Sequence, residues 1–280
     1  MFMRFPEGRA RALTFSYDDG VVQDIRFVGL LNRYGMKGTF NLNSGCYAPE
    51  NPDPPKPTRR LSKSEINELF GDGRHEVAVH SLTHPFLDEL TPAAVAYEIV
   101  KDRENLERQF GRIIRGMAYP MGTYNDEVVA TLRQCGILYA RTVESTEKFK
   151  IPTDWLRLPA TCHHNHPRLM ELAKSFVEKD SSRLPQLFYL WGHTYEFDDR
   201  DNWHVIEEFC DYMGGREKDI WYATNAEIFE YIQDYERLVW AVDMSQVYNP
   251  TCRTLWFERQ GKICSVAPGA YLKLEMEESL

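Results

Sequence analysis

Short apolar runs alternate with segments of helical periodicity along the first 235 residues of this 280-residue chain. The runs at 11–17 and 76–79 have the length and residue types of buried strands, whereas 22–34 repeats its apolar residues at helical spacing. Seven or eight strands that alternate with helices predict parallel βα units, either closed into a barrel or wound into an open sheet. We favour the barrel.

The pattern changes beyond about residue 235, where the helical segments stop. Short β-type runs continue, with Gln260-Gly261 and Pro268-Gly269 as turn residues between them. Strands without intervening helices must pair as hairpins. The sequence therefore predicts a barrel over 1–235 and a small antiparallel β appendage over 236–280, which packs on the barrel or contributes to a contact between copies of the chain.

The acidic charge is concentrated in one stretch. The net charge is −9, and residues 194–236 contain thirteen Asp and Glu against three Lys and Arg. No basic stripe is present, which argues against nucleic acid as a partner. No apolar run reaches the roughly 18 to 20 residues that span a bilayer, and the amino terminus lacks the apolar core of a secretory signal. Six scattered cysteines without a C-x-x-C pair fit a reducing compartment, so we expect a cytoplasmic protein.

Polar residues follow several of the predicted strands, at the end of a barrel where functional residues collect. Asp18 and Asp19 follow the first strand, His80 and His84 the third, and His193 a later one. Two histidines four residues apart suit one cation, and with Asp19 they would leave positions open for water. Because imidazole suits zinc, zinc is the first expectation, with cobalt, nickel or manganese as alternatives.

This set of residues suits hydrolysis of an amide. A bound metal lowers the pKa of water toward about 7, and Asp18 beside the ligand set is the candidate base. The departing nitrogen needs a proton, for which His193 is the candidate acid. A second histidine cluster, T-C-H-H-N-H, contains a residue that lines the pocket or orients another group. The candidate substrate-binding residues are Tyr119, Pro120, Met121, Tyr124, His163 and Trp191. Core packing is the alternative for Tyr119, Met121, Tyr124 and Trp191.

Two of these motifs resemble a known family. S-Y-D-D-G at 16–20 and H-S-L-T-H at 80–84 are similar to the first two motifs of the polysaccharide deacetylases with a NodB homology domain, the fourth carbohydrate esterase family. The resemblance spans roughly 8–235 and implies a distorted (β/α)7 barrel. It also implies that Asp18 is the base, that Asp19, His80 and His84 bind the metal, and that His193 is the acid.

The chain departs from the family pattern in three motifs. Ala118 stands where the third-motif arginine steadies the base, so either another residue orients Asp18 or the catalytic arrangement differs. The fourth motif has only a remnant at 153–155, and unusual residues surround the fifth. Among them, Glu196 and Asp198 would raise the pKa of His193 if they face the pocket.

The sequence predicts a metal-dependent hydrolase of non-peptide C–N bonds, most simply one that removes acetyl from an amino sugar or N-acetylated oligosaccharide. One alternative is an amidohydrolase that acts on a small cyclic or linear amide. The other is a non-catalytic carbohydrate-binding protein that kept the pocket after losing the arginine. The expected partner is therefore a small molecule or oligosaccharide, not a membrane or nucleic acid, and association into a homo-oligomer stays open.

Overall fold

The computed structural model describes residues 1–51, 59–179 and 183–274. The β-strands are β1 (Phe2–Arg4), β2 (Arg11–Asp18), β3 (Thr39–Leu42), β4 (Glu76–Val79), β5 (Gly116–Ala118), β6 (Tyr139–Ser145), β7 (Leu158–Ala160), β8 (Cys162–His163), β9 (Gln186–Gly192), β10 (Ile220–Tyr222), β11 (Val239–Trp240), β12 (Gln246–Tyr248), β13 (Leu255–Arg259), β14 (Lys262–Val266) and β15 (Tyr271–Lys273). The α-helices are α1 (Asp24–Arg33), α2 (Lys63–Phe70), α3 (Pro92–Phe110), α4 (Asp126–Gln134), α5 (Leu169–Glu178), α6 (Tyr195–Asp199), α7 (Trp203–Met213) and α8 (Asn225–Glu236).

The parallel strands close into a distorted barrel, which confirms the predicted fold class. The sheet runs through β2, β3, β4, β5 and β6 in chain order, and β9 returns to pair with β2. The gap between β6 and β9 is filled by one extended run, in which β7 pairs with β6 and β8 pairs with β9. Thr161, between those two short strands, donates its N–H to the carbonyl of Tyr189 at 2.8 Å. The seventh position of the ring is therefore a strand broken in its middle.

Strand β2 lies at the centre of this arrangement and is buried along almost its whole length. It pairs with β9 on one side, and on the other with β10 near its start and β3 near its end. Parallel strands with helices over the sheet are buried on both faces, which explains the near-continuous apolar run. Phe15 on β2 meets Phe27 of α1 and Phe209 of α7 edge to face.

Most predicted elements are confirmed, and the helix caps form as the sequence indicates. Ser62 with Glu65 three residues later is the sequence signature of a capping box, which forms at the start of α2, and Thr91 caps α3. The sequence pattern also predicts a strand at 155–158, and this prediction is wrong in its first part, because Trp155–Arg157 forms a 3-10 turn. The Asp154 side chain accepts the N–H of Leu156 and holds that turn, so the strand begins only at Leu158.

The carboxyl-terminal region forms antiparallel strands, as predicted. β13 and β14 make a hairpin whose turn contains Gln260-Gly261, and β11, β12 and β15 form a second small sheet. The amino terminus adds a third strand to the β13–β14 hairpin, because β1 pairs with β13. Arg4 of β1 forms an ion pair of 2.6 Å with Glu258 of β13. The division at residue 235 stays a prediction. Among the described helices, none has the length and apolar character that crossing a bilayer requires.

Candidate metal-binding and catalytic site

The predicted ligands Asp19, His80 and His84 lie together at the carboxyl ends of β2 and β4. Their ligand atoms are all within 4.8 Å of one another, and Nε2 of His84 is 3.6 Å from Oδ1 of Asp19. Asp19, Ser81 and His84 have positive φ angles of 84°, 62° and 63°. Such conformations are uncommon for residues with a side chain. The backbone turns sharply at both strand ends, and the three ligands converge there.

The chemical state of the two histidines suits a metal. His80 Nδ1 lies 2.9 Å from the carbonyl of Ala118; a carbonyl only accepts, so this nitrogen carries the hydrogen and the lone pair is on Nε2, which faces Asp19. Burial lowers the pKa of His80 to about 4 and also lowers the pKa of His84. Both imidazoles are therefore neutral near pH 7, the form that binds metals. The donor set fits one divalent transition metal.

Residues outside the predicted set hold these ligands in place. The Asp102 carboxylate accepts the N–H of His80 at 3.2 Å, and the Asn43 amide donates to the carbonyls of His80 and Ser81. Arg60 donates to Oδ1 of Asp19 at 2.8 Å and to Oδ1 of Asn43 at 2.7 Å. Sequence reasoning did not find Arg60, because it follows a proline-rich stretch of sequence and nothing in its local pattern marks it as part of a site.

Asp18, the predicted base, is buried at the end of β2 between the ligand set and the predicted acid. Its Oδ2 is 3.9 Å from Nε2 of His80 and 3.7 Å from Nε2 of His193. Oδ1 accepts a hydrogen bond from the Asn41 amide at 2.8 Å, and Oδ2 pairs with the Arg141 guanidinium. Burial acts to raise the pKa of Asp18, but the charge of Arg141, with smaller contributions from the neighbouring His80 and His193 when they are protonated, outweighs it and lowers the pKa to about 2. Asp18 is therefore ionised and able to accept a proton.

His193, the predicted acid, follows β9 and is held from the side opposite Asp18. Its Nδ1 lies 2.8 Å from Oε1 of Glu196, so Nε2 points toward the base. Burial acts to lower the pKa of His193, but the hydrogen bond to Glu196 and the charges of Asp18 and Asp19 raise it overall. Glu196 and Asp198 were both expected to raise the pKa of His193, and only Glu196 contacts it. Asp198 accepts instead from the Gln23 amide at 2.7 Å and from the Trp203 ring nitrogen at 2.7 Å.

The second histidine cluster gathers around the same glutamate. Nε2 of His163 is 3.3 Å and Nε2 of His164 is 3.6 Å from Glu196, and the ligand atoms of His163, His193 and Glu196 lie within 4.8 Å of one another. His164 is fully buried and stacks on Tyr17 and Phe197. His163 thus lies beside His193 and His164 lies in the core, while Glu196 orients the acid.

The predicted substrate-binding residues fall into two groups. Met121 is half exposed and Tyr124 and His163 are partly exposed. Tyr119, Pro120 and Trp191 are buried: the Tyr119 hydroxyl donates to the carbonyl of Leu156 at 2.7 Å, and Trp191 lies against a guanidinium. The part of all six in substrate binding stays a prediction. The three buried residues would support the residues that contact the substrate.

Arg141 is the functional residue that sequence reasoning missed most clearly. It lies on β6, opposite Ala118 in the pairing of β5 with β6, and its side chain is almost completely buried against Asp18. The sequence does carry a signal for it. The apolar run at 137–143 predicts a buried strand, and a charged residue in the middle of such a strand needs a buried partner. Its partner, however, is more than 120 residues away in sequence.

Comparisons with known proteins agree with this fold. The polysaccharide deacetylase family profile matches residues 6–140, just under half of the chain. A candidate polysaccharide deacetylase from Mycobacterium smegmatis is 15% identical and superposes with a TM-score of 0.57, over 83% of this chain and 93% of that one. A family 4 acetyl xylan esterase from Clostridium thermocellum, in complex with a cobalt ion, is 12% identical with a TM-score of 0.50, over 79% of this chain and 91% of that one.

A third similar structure is a deacetylase, PplD, from Streptococcus pyogenes in complex with acetate. It is 20% identical with a TM-score of 0.44, and the match covers 51% of this chain and 62% of that one. The chain thus spans less than two thirds of the length of that relative. No curated protein matches the chain. At these identities the structural likeness supports the fold alone, while the family profile supports a resemblance to the polysaccharide deacetylases over residues 6–140.

Proposed function

From its likeness to the polysaccharide deacetylase family, which the profile match and the fold both carry, we propose that this chain is a metal-dependent hydrolase. It removes acetyl from the nitrogen of an amino sugar or N-acetylated oligosaccharide. The observation that carries the proposal is the position of Asp18, whose Oδ2 lies 3.9 Å from the ligand His80 and 3.7 Å from the acid His193. A base thus lies between a ligand set and an acid.

Asp19, His80 and His84 would hold the metal, which would supply an activated water and a Lewis acid for the substrate carbonyl. Zinc is the first choice for this donor set, with cobalt, nickel or manganese as alternatives. Asp18 accepts the proton that the attacking water loses. It does so from a fixed position, because Asn41 and Arg141 hold its two oxygens.

His193 supplies the proton that the departing amine needs. Its Nδ1 hydrogen is held by Glu196, so its Nε2 is the atom directed into the site. An amine leaves far more easily than an amide anion, and a positioned acid contributes roughly 10²- to 10⁴-fold to such a step. Asp18 and His193 are therefore the base and the acid of one reaction.

The substrate and the compartment are part of the same proposal. Met121 and Tyr124 offer apolar surface near the third-motif position, and sugar rings pack well on such surface. None of the six cysteines, all within the described residues, forms a disulfide. This supports a reducing compartment such as the cytoplasm, where a soluble N-acetylated oligosaccharide is the natural substrate.

The test measures acetate release by protein purified without chelator, with zinc or cobalt added in separate reactions. N-acetylated chitooligosaccharides are compared with small linear and cyclic amides. We expect release from the sugars, its loss by at least about 10²-fold in Asp18→Asn, and unchanged metal content in that variant. Asp199→Asn, on an exposed residue, is the matched control.

Two results would contradict the proposal. Hydrolysis of small amides but not sugars would support the alternative amidohydrolase. Wild-type protein that carries no metal and hydrolyses nothing after metal addition would leave the non-catalytic carbohydrate-binding alternative.

A further inference from the structure

The buried pair of Arg141 and Asp18 joins two strands on different parts of the barrel. Both side chains are almost inaccessible to solvent, with 1% and 3% of their areas exposed. The guanidinium of Arg141 also lies over the Trp191 ring, 4.3 Å from its centroid. A charge buried this deeply needs a counterion. Asp18 provides it, and the Trp191 ring packs against the guanidinium as a cation–π contact.

The pairing of β5 with β6 explains how Arg141 reaches this place. Ala118 and Arg141 are direct partners in the register, and neighbouring strands lie about 4.8 Å apart. Side chains of paired residues on adjacent strands point to the same face of a sheet. Ala118 is itself completely buried and leaves room for a long side chain from the next strand. An arginine at either position therefore enters the barrel at the same level.

We propose that Arg141 is the positioning residue for Asp18, and that it supplies from β6 the guanidinium that Ala118 on β5 does not carry. This inference rests on the proposed function, since it concerns the base of that reaction. Arg141 contacts neither the ligand set nor His193 in the hydrogen bonds and ion pairs of the described residues. It acts on the reaction only through the orientation of the Asp18 carboxylate.

The proposal is tested by moving the arginine from position 141 on β6 to position 118 on β5. Arg141→Ala should lower kcat about 10²-fold, the effect of misplacing a reacting group by about 1 Å, with KM and metal content little changed. The double variant Ala118→Arg/Arg141→Ala should recover at least tenfold over the single variant, because the vacated space lies beside residue 118. Arg141→Lys keeps the charge without the planar group and should fall between wild type and Arg141→Ala. Arg133→Ala, on an exposed face of α4, is the matched control.

The outcomes separate a wrong inference from a wrong proposed function. Active wild-type enzyme together with a folded Arg141→Ala variant whose kcat is within threefold of it would overturn the inference. So would a folded double variant no faster than Arg141→Ala. If Arg141→Ala does not fold, the double variant decides, because a structural role alone would restore folding without restoring kcat. Absence of activity in the wild type would instead count against the proposed function, and a double-variant stability cycle on Arg141 and Asp18 would still measure their coupling.

Discussion

The two sides of the site differ in how the sequence encodes them. The metal side is Asp19, His80 and His84, and the acid side is Asp18, Arg141, His193 and Glu196. The metal side consists of two short motifs, each at the end of one strand. On the acid side, Asp18 and His193 occupy motif positions, but the groups that hold them do not. Arg141 comes from the strand beside the third motif, and Glu196 comes from α6, three residues after the acid.

The difference follows from what each side must achieve. A cation needs donor atoms at fixed distances from one point, and two histidines four residues apart in a tight turn provide this locally. A charged side chain that orients the base or the acid needs only to contact one oxygen or nitrogen of that residue. Side chains from several strands of a barrel can make such a contact. Positions 118 and 141 are one such interchangeable pair, because they face each other across two strands. Metal ligation is therefore expected to tolerate less rearrangement than base and acid positioning.

Asp19→Ala tests the metal side and should have the largest effect. The variant loses the only carboxylate in the ligand set, leaving His80 and His84 alone. We expect about one bound transition metal per chain in wild type, little in the variant, and loss of hydrolysis together with the metal. Elemental analysis and acetate release measure the two quantities, and Asp199→Ala on an exposed position is the control. Full activity without bound metal would contradict the assignment of the ligand set.

This contrast also explains how far the sequence alone could lead. Asp18, Asp19, His80, His84 and His193 were predicted because each ends or follows a strand that its own apolar pattern reveals, and the barrel brings strand ends together. The closing run at 158–163 was not anticipated as two strands, since each part is too short to show a period. Arg141 and Arg60 were missed because their partners are set by register and loop closure. Those contacts have no signal within a local window of sequence.

His193→Ala tests the acid and should have the second largest effect. The variant keeps the ligand set but has no group to protonate the departing amine. We expect kcat to fall roughly 10²- to 10⁴-fold with metal content retained, and His204→Ala, an exposed histidine on α7, should change neither. Steady-state kinetics and elemental analysis are the measurements. Equal loss of metal and turnover would place His193 among the ligands and remove its role as acid.

Glu196→Gln sharpens the acid side by changing the pH dependence. The Glu196 carboxylate raises the pKa of His193 and keeps it protonated to higher pH. Glutamine retains the size but removes the charge, so the pKa of His193 falls and its acid form is lost at lower pH. The basic limb of the kcat profile should therefore move to lower pH, with a loss at its former optimum of about tenfold to a hundredfold, as for other orienting partners. An unmoved limb, or the same change in Glu178→Gln on an exposed position, would show that Glu196 does not act through His193.

Gly192→Ala tests whether the acid side depends on close packing behind the strand, and its effect should be seen in stability. A Cβ at Gly192 would lie 2.0 Å from Nδ1 of His164, whose ring is fully buried between Tyr17 and Phe197. Neither neighbour can yield, because both are core aromatic residues, so we expect a cost of about 1–3 kcal/mol in the free energy of unfolding. Denaturant unfolding measures it.

Gly29→Ala is the control for that variant, because Gly29 lies exposed within α1 with open space around it. There alanine should stabilise the protein by roughly 0.5–1 kcal/mol, since it lowers the backbone entropy lost on folding. If the two variants instead had equal stability, His164 would have room to move, and the position of Glu196, 3.6 Å from its Nε2, would not depend on this packing. If they differ as expected, the small residue before His193 is required because the histidine cluster occupies the space where a side chain would lie.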